Sequence, residues 1–406
     1  MSQGTNYSSV FAGAVTIADG PSLDAFSRLR VSNPTTLFDS KQLFDAAPLF
    51  WDDQQTTGSG TTSAHSVNLA ATTMSVGATT AGTRVRQTFR RFNYQPGKSQ
   101  LIFMTTVVGT AVSGITRRVG IFDGNNGLFF EQTGTTFSVV RRTKATGSVV
   151  DWGVASTAWN LDKLDGSGAS GKILLLDKSQ IFVIDFEWLG VGRVRFGVVI
   201  YVHQMVHANL TSVVYMSTPN LPLRYEISNS GTAAAASLVH ICSTVISEGG
   251  QEVSGLILAA STGNTPTTAV TAGTTYGLIG LRLKTTHVGA TVKTESMSIM
   301  GTSTSDPIQW TLVLNPTVTG TFVYADLTNS ACQIAYGSSA PTITGGTVLN
   351  AGMLFTQTSQ YNDLKNALTL GATIAGVSDT IVLCATPIAG AASVAVYSAI
   401  TWRELL

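Results

Sequence analysis

Few residues in this chain have the types and spacing that do chemistry. Asp185 and Glu187 stand two apart in the stretch IFVIDFEWLGVGRVRFGVVI (Ile181–Ile200). Two carboxylates on one face of a strand are the equipment of general acid/base or glycosyl-transfer chemistry. His203 and His207 have the spacing of a metal pair on a helix. They fall at the end of a strand-like run, however, where the side chains would lie about 13 Å apart. Asp123-Gly-Asn-Asn-Gly127 offers hard oxygen donors for a cation but lacks a distant bidentate acid, and suits a hairpin turn equally. Asp162, Asp165 and the following glycine–serine loop are read in the same way. Cys242, Cys332 and Cys384 are widely spaced, with no CxxC, and are expected to be reduced core residues. No glycine-rich phosphate loop or nucleophile elbow occurs in a strand–helix setting, so neither nucleotide binding nor serine hydrolysis is expected. No cofactor or metal is expected.

The elements that must carry these residues are strands. Gln100–Thr106, Arg118–Phe122, Leu128–Glu131, Phe137–Arg141, Ile181–Leu189, Arg193–Ile200 and Leu221–Ile227 alternate or run apolar, separated by glycine- and asparagine-rich turns. Phe44–Asp53 and Gln360–Leu370 are the two places with room for a turn or two of helix. The opening stretch is expected to be a hairpin about Gly190-Val191-Gly192, with Glu187 opposite Arg195 and Phe186 opposite Phe196. One face is then apolar, through Ile184, Phe186, Trp188, Val194, Phe196 and Val198. On the other, Asp185 and Glu187 meet Arg193 and Arg195, so the acids have a structural explanation.

Only 12% of the 406 residues are charged, against about a quarter in an average protein, and the formal net charge is +1. Arg84, Arg86, Arg90 and Arg91 are the densest basic cluster, read as a solvated or inter-subunit face; nucleic acid is not an expected partner. No apolar run is long enough to cross a membrane as a helix, so no membrane insertion is expected; Ile381–Ile400 reads as two small-residue strands. The start, MSQGTNYSSVFAG, lacks the pattern of a secretion signal, and the three separate cysteines are read as those of a chain made in a cytosol.

The expected architecture is all-β. Residues 1–60 form an extended N-terminal arm that docks on its own sandwich or on a neighbour, through Phe26, Leu29, Phe38, Phe44, Phe50 and Trp51. Thr56–Gly82 reads as a loop or weak edge strand. Residues 61–229 form one β-rich domain, for which the resemblances given below imply a jelly roll, and residues 238–406 a second β-sandwich, separated by the linker SNSGTAAAAS. Tyr94, Trp152 and Trp159 are candidate glycan contacts.

Two resemblances follow from these residues. Asp185-Phe186-Glu187 before Leu189-Gly190 resembles the catalytic strand of laminarinase-type glycosidases, which are lectin-like, concanavalin-like jelly rolls. That family alternates three acids on one strand; the first position here is Val183, and the nearby arginines would keep the remaining acids ionised, the wrong state for an acid catalyst. The segments LDAFSRLRVSNPTTLFDSKQ, FNYQPGKSQ, RRVGIFDGNNGLFFE, WNLDKLDGSG, QIFVIDFEWLGVGRVRFGVVI and STPNLPLRYEI together resemble virion-associated structural proteins of tailed bacteriophages and other large DNA viruses. That resemblance implies a lectin-like jelly roll mounted on a particle, made in the host cytoplasm. It implies a non-enzymatic capsid decoration, vertex, spike or tail component, acting by self-assembly, with a trimer as the expected oligomer and other capsid or tail proteins as partners. The alternative functions are an adhesin for host-surface glycans and a degenerate glycosidase.

Overall fold

The structure is a computed structural model; it describes residues 33–269, 271–302, 307–354, 359–364, 369–388 and 394–406, without the side chains of 359–363. The strands up to residue 143 are β1 (Thr35–Lys41), β2 (Trp51–Gly58), β3 (Thr61–Ser66), β4 (Ala71–Val76), β5 (Gly82–Thr88), β6 (Gln100–Val107), β7 (Ile115–Phe122), β8 (Gly127–Thr133) and β9 (Thr136–Thr143). There follow β10 (Val150–Ala155), β11 (Gln180–Phe186), β12 (Arg193–Val198), β13 (Ile200–Val206), β14 (Leu223–Asn229) and β15 (Ala236–Ser247). One sheet runs β13-β12-β11-β6-β15-β4-β3 with β1 also on β15; the other runs β10-β9-β8-β7-β14-β5-β2. All pairings are antiparallel, and many neighbours are distant in sequence, as in a lectin-like jelly roll.

Alternation decides what the two sheets bury. Ile102 and Met104 of β6, and Phe182, Ile184 and Phe186 of β11, meet Val119 and Ile121 of β7, Phe130 of β8 and Tyr225 and Ile227 of β14 in one core. Residues beyond 255 build a second all-β sandwich with its own core. There Val292, Met297 and Ile299 and the closing Val394, Val396, Ile400 and Trp402 pack on Leu281, Trp310, Leu312 and Leu383. Thr380–Pro387 and Val394–Leu405 are the two small-residue strands expected in that region. The two sandwiches touch where the Ala372 N–H donates to Phe89 O at 2.8 Å and the Ile374 N–H to Asp52 Oδ2 at 2.7 Å.

Several expectations are corrected. Of the two places expected for the arm, its own sandwich or a neighbour, residues 35–58 take the first, as strands of the two sheets and not as a separate arm: β1 pairs with β15 and β2 with β5. Their aromatic side chains close the sandwich because they find a ready nest. The Phe38 ring lies 6.0 Å from that of Trp51 and 5.4 Å from Phe92, and Trp51 meets His240 at 4.5 Å. Thr56–Gly82 contributes β3 and β4, with β4 held between β3 and β15. The first sandwich also runs past residue 229, because β15 pairs with β6, β4 and β1. The supposed linker is a turn inside it, clamped by Asn229, whose amide donates to Gly77 O and whose Oδ1 accepts the Gly231 N–H. Where room for a turn or two of helix was read, residues 51–53 and 360–363 are strand, and residues 365–368 lie outside the described residues.

The β11–β12 hairpin keeps its expected faces but shifts register by two. Asp185 lies opposite Arg195, Ile184 opposite Phe196 and Phe186 opposite Val194. The loop is longer than expected: Gly192 N–H returns to Trp188 O at 2.8 Å and Glu187 N–H reaches Arg193 O at 3.0 Å. A Cβ on Gly192 would stand 2.1 Å from Glu187 O, so that closure needs glycine. A shift of two conserves every inward side chain, which is why periodicity alone did not detect it.

Candidate glycan-binding surfaces

The resemblance to a glycosidase strand can be tested where Asp185 sits. Asp185 points away from the core, is 4% exposed, pairs with the Arg195 guanidinium and accepts the Tyr201 hydroxyl at 3.1 Å. Burial, and next the nearby Asp185 charge, push the Tyr201 phenol up to about 12, so it stays protonated and donates. Arg195 also lies 4.4 Å over the Tyr201 ring. Glu187 falls beyond the end of β11 and is exposed. Val183 occupies the position of the missing acid and lines a hollow of about 250 Å³ with Phe103 and Tyr201. The carboxylate that remains on this outer face is therefore held by its arginine, and this surface lacks the pair of facing acids that glycosyl transfer uses.

A second hollow opens at the edge of the sandwich, between β10 of one sheet and β13 of the other. On β9, Arg141 is in phase with Phe137 and Val139, and so enters the space between the sheets at its open end. It is 3% exposed. Trp152 lies directly across the ladder on β10, is 55% exposed, and places its ring 3.9 Å from the guanidinium carbon. The opposite wall is Met205, Val206 and His207, with Leu210 at the rim; the hollow measures about 290 Å³.

The walls are held from behind. His207 stacks on Tyr215 at 4.1 Å, and its Nδ1–H donates to Gly192 O at 2.7 Å, since a carbonyl only accepts. Burial lowers the His207 pKa, which keeps the ring neutral near neutral pH. Tyr215 N–H donates to Gly190 O at 2.9 Å and its hydroxyl to Glu187 O at 3.0 Å. Asn160 and the backbone of Gln204 exchange two hydrogen bonds, which fastens the segment after β10 to β13.

Of the three aromatic side chains expected to contact glycan, only Trp152 is on the surface. Trp159 is 3% exposed, donates to Val154 O at 3.1 Å and packs on Phe137. Tyr94 is 5% exposed and stacks on Phe186. Among the assembly residues, Phe38 and Trp51 are core, Phe44 is 87% and Phe50 47% exposed, and Phe26 and Leu29 lie outside the described residues. Arg141 was not anticipated as a site residue, and His207 was weighed only as a metal ligand. The signal for Arg141 was present: a charge in phase with the apolar face of its strand.

The other candidates resolve into turns and internal pairs. Asp123 Oδ1 accepts the N–H groups of Asn125 and Asn126, and Asp162 those of Leu164 and Ser170. These bonds hold the Asp162 carboxyl below its usual range. No cluster of three metal-ligating side chains occurs among the described residues. The arginine cluster faces inward rather than to solvent: Arg84 and Arg86 bind Asp53, and Arg86 also donates to His240 Nδ1, Gln42 and Ala46 O.

No family model matches this chain, and no curated protein matches it. Among solved structures, a Bacillus licheniformis β-glucanase is 11% identical over 51% of this chain and 96% of its own, with a TM-score of 0.35. The carbohydrate recognition domain of Emp47p is 8% identical over 57% of this chain and 99% of its own, at 0.34. A CBM2 module of the Lactobacillus casei BL23 phage J-1 evolved Dit is 7% identical over 55% and 99%, at 0.35. Likeness this slight says nothing of what this chain binds, and the functional reading has to come from the site itself.

Proposed function

We propose that this chain is a non-catalytic glycan-binding protein carried on a virus particle, with its sugar site in the Trp152 hollow. The observation that supports it most is a half-exposed indole fixed over a buried guanidinium at the mouth of an apolar recess. An indole face offers apolar area to the C–H face of a sugar, and its polar surroundings offer direction. The recess is close to the lower end of the roughly 300–1,000 Å³ of small-molecule sites, which suits one sugar residue of a chain passing along the edge. Trp152 is held in place by β9 and by its arginine, so little side-chain freedom is lost on binding. The absence of paired acids on the Asp185 face supports binding without hydrolysis.

The virion setting is supported by the sequence resemblance of residues 23–227. The assembly role is favoured by one observation, the exposed Leu43, Phe44, Leu49 and Phe50 between β1 and β2. This apolar turn is the kind of surface that a neighbouring protein covers.

A glycan array probed with the full chain and with Trp152→Ala tests the binding reading. Binding by the native chain that the variant loses, with its melting temperature retained, is the expected result. Native binding that survives Trp152→Ala contradicts the assigned site, and no binding to any printed glycan contradicts the function. For assembly, Phe44→Ser with Phe50→Ser is expected to lower incorporation into particles; unchanged incorporation contradicts that role.

A further inference from the structure

Arg141 is the unusual member of its hollow. Its neighbour Arg142 points the other way and pairs with Asp151 at 2.7 Å. Arg141 has no ion pair among the described residues, and its buried Nε has no hydrogen-bond acceptor. None of the residues lining the hollow is acidic. Burial lowers the Arg141 pKa, but a guanidinium remains charged at neutral pH. His207 faces it as a neutral ring and Tyr215 behind it as a phenol whose pKa burial raises well above its usual value, so neither supplies an anion.

A cation taken out of water without a counter-charge is costly, and proteins seldom keep one that nothing compensates. The Trp152 ring compensates part of it through the cation–π contact. That contact covers one face of the guanidinium and leaves its N–H edge to bind in plane. An N–H edge that opens into a recess matches an oxyanion, which it can meet through two parallel hydrogen bonds. Arg91 also buries nitrogens without acceptors, Nε and Nη1, but the hollow it lines contains the carboxylate of Asp123.

We propose that the hollow is selective for an anionic sugar, whose acid group seats on the Arg141 edge while its ring packs on Trp152. This rests on the glycan-binding reading above and adds the substrate class. The acid is a carboxylate, sulfate or phosphodiester, since all three present the oxygens that a guanidinium edge receives.

Isothermal titration of the full chain with matched acid and neutral probes tests it. The pairs are oligogalacturonate and its methyl ester, sialyl-lactose and lactose, and a sulfated galactan oligosaccharide and its desulfated form, with polyglycerol phosphate as a fourth acid. At least one acid is expected to bind tenfold or more tightly than its neutral partner, and the member that does so identifies the oxyanion. Arg141→Gln should abolish that preference while leaving weak binding of the neutral ring. Arg141→Lys, which keeps the charge but loses the fork, should retain part of it. Trp152→Ala should weaken acid and neutral forms alike. Equal affinity within every pair overturns the proposal while leaving glycan binding intact, as does a preference that survives Arg141→Gln. Binding of no probe, acid or neutral, overturns both.

Discussion

Arg195 and Arg141 occupy similar surroundings on opposite sheets. Each lies over an aromatic ring, Tyr201 at 4.4 Å and Trp152 at 3.9 Å, but Arg141 itself lines a recess, whereas beside Arg195 only the Tyr201 ring does. Arg195 has a buried carboxylate, Asp185, directly across its strand pair. Arg141 has an indole there instead and no ion pair among the described residues. The difference separates a charge that stabilises the fold from one held available for something else. A paired arginine completes its surroundings, whereas an unpaired one at the mouth of a recess leaves them incomplete until an anion arrives. Asp185 in its suggestive sequence marked the wrong surface for the same reason: its charge is already satisfied by Arg195.

The most paired arginine should be the hardest to remove. Arg86 is 1% exposed and serves Asp53, His240, Gln42 and Ala46 O. Arg86→Ala strands His240 Nδ1 and Ala46 O and empties a large buried volume, while Asp53 keeps Arg84 and Ser63 and Gln42 keeps Thr72, and it should cost about 2–5 kcal/mol in urea unfolding. A loss below about 1 kcal/mol would mean that pairing is a poor guide to what holds this sandwich together.

Acidification attacks the same network. Burial, and next the Arg86 charge, hold the His240 pKa well below its usual value, because Nδ1 accepts from Arg86 and cannot also take a proton. The unfolded chain binds a proton near pH 6.5 that the folded chain refuses. The stability is therefore complete above about pH 6.5 and declines as the pH falls from there toward the folded value. The melting temperature should drop between pH 7 and pH 5, and His240→Gln should flatten that drop. His203 and His207, also lowered by burial, add to the slope in the same direction.

Asp185→Ala should have a middling effect, about 1–3 kcal/mol, because it strands Arg195 and the Tyr201 hydroxyl, but Arg195 is one-third exposed and can reach water. Arg141→Leu should do least. It trades a cation–π contact for relief of an uncompensated charge and should stay within about 1 kcal/mol of the native chain, or exceed it. A large loss on Arg141→Leu would show that the arginine is structural after all, and would erase the contrast with Arg195.

The fold class was legible because its signal is local: alternation and turn chemistry located seven of the fifteen strands of the first sandwich within a few residues. What was not legible depended on partners far away in sequence. Nothing in SNSGTAAAAS says that the chain turns back to place β15 between β6 and β4. Nothing in the first 60 residues says that Trp51 is met by His240 and Tyr225. Trp152 and Trp159 read alike, yet the short turn Ser156–Ala158 sends the second into the core against Phe137 and leaves the first outside. The site itself was half legible: Trp152 could be picked as an aromatic residue, and Arg141 was marked by its phase. That no acid reaches Arg141 depends on β13 and the segment after it, and only the three-dimensional arrangement settles it.

The most direct test of the account is a heteronuclear NMR titration that follows the indole N–H signals of the six tryptophans. The Trp152 signal would be assigned by Trp152→Phe, and the probe would be the acid that binds best. The account predicts that the Trp152 signal moves progressively while the buried Trp51, Trp159, Trp310 and Trp402 signals stay in place. A titration in which Trp152 is silent, or in which only Trp188 near the β11–β12 loop responds, would contradict the assignment of the site.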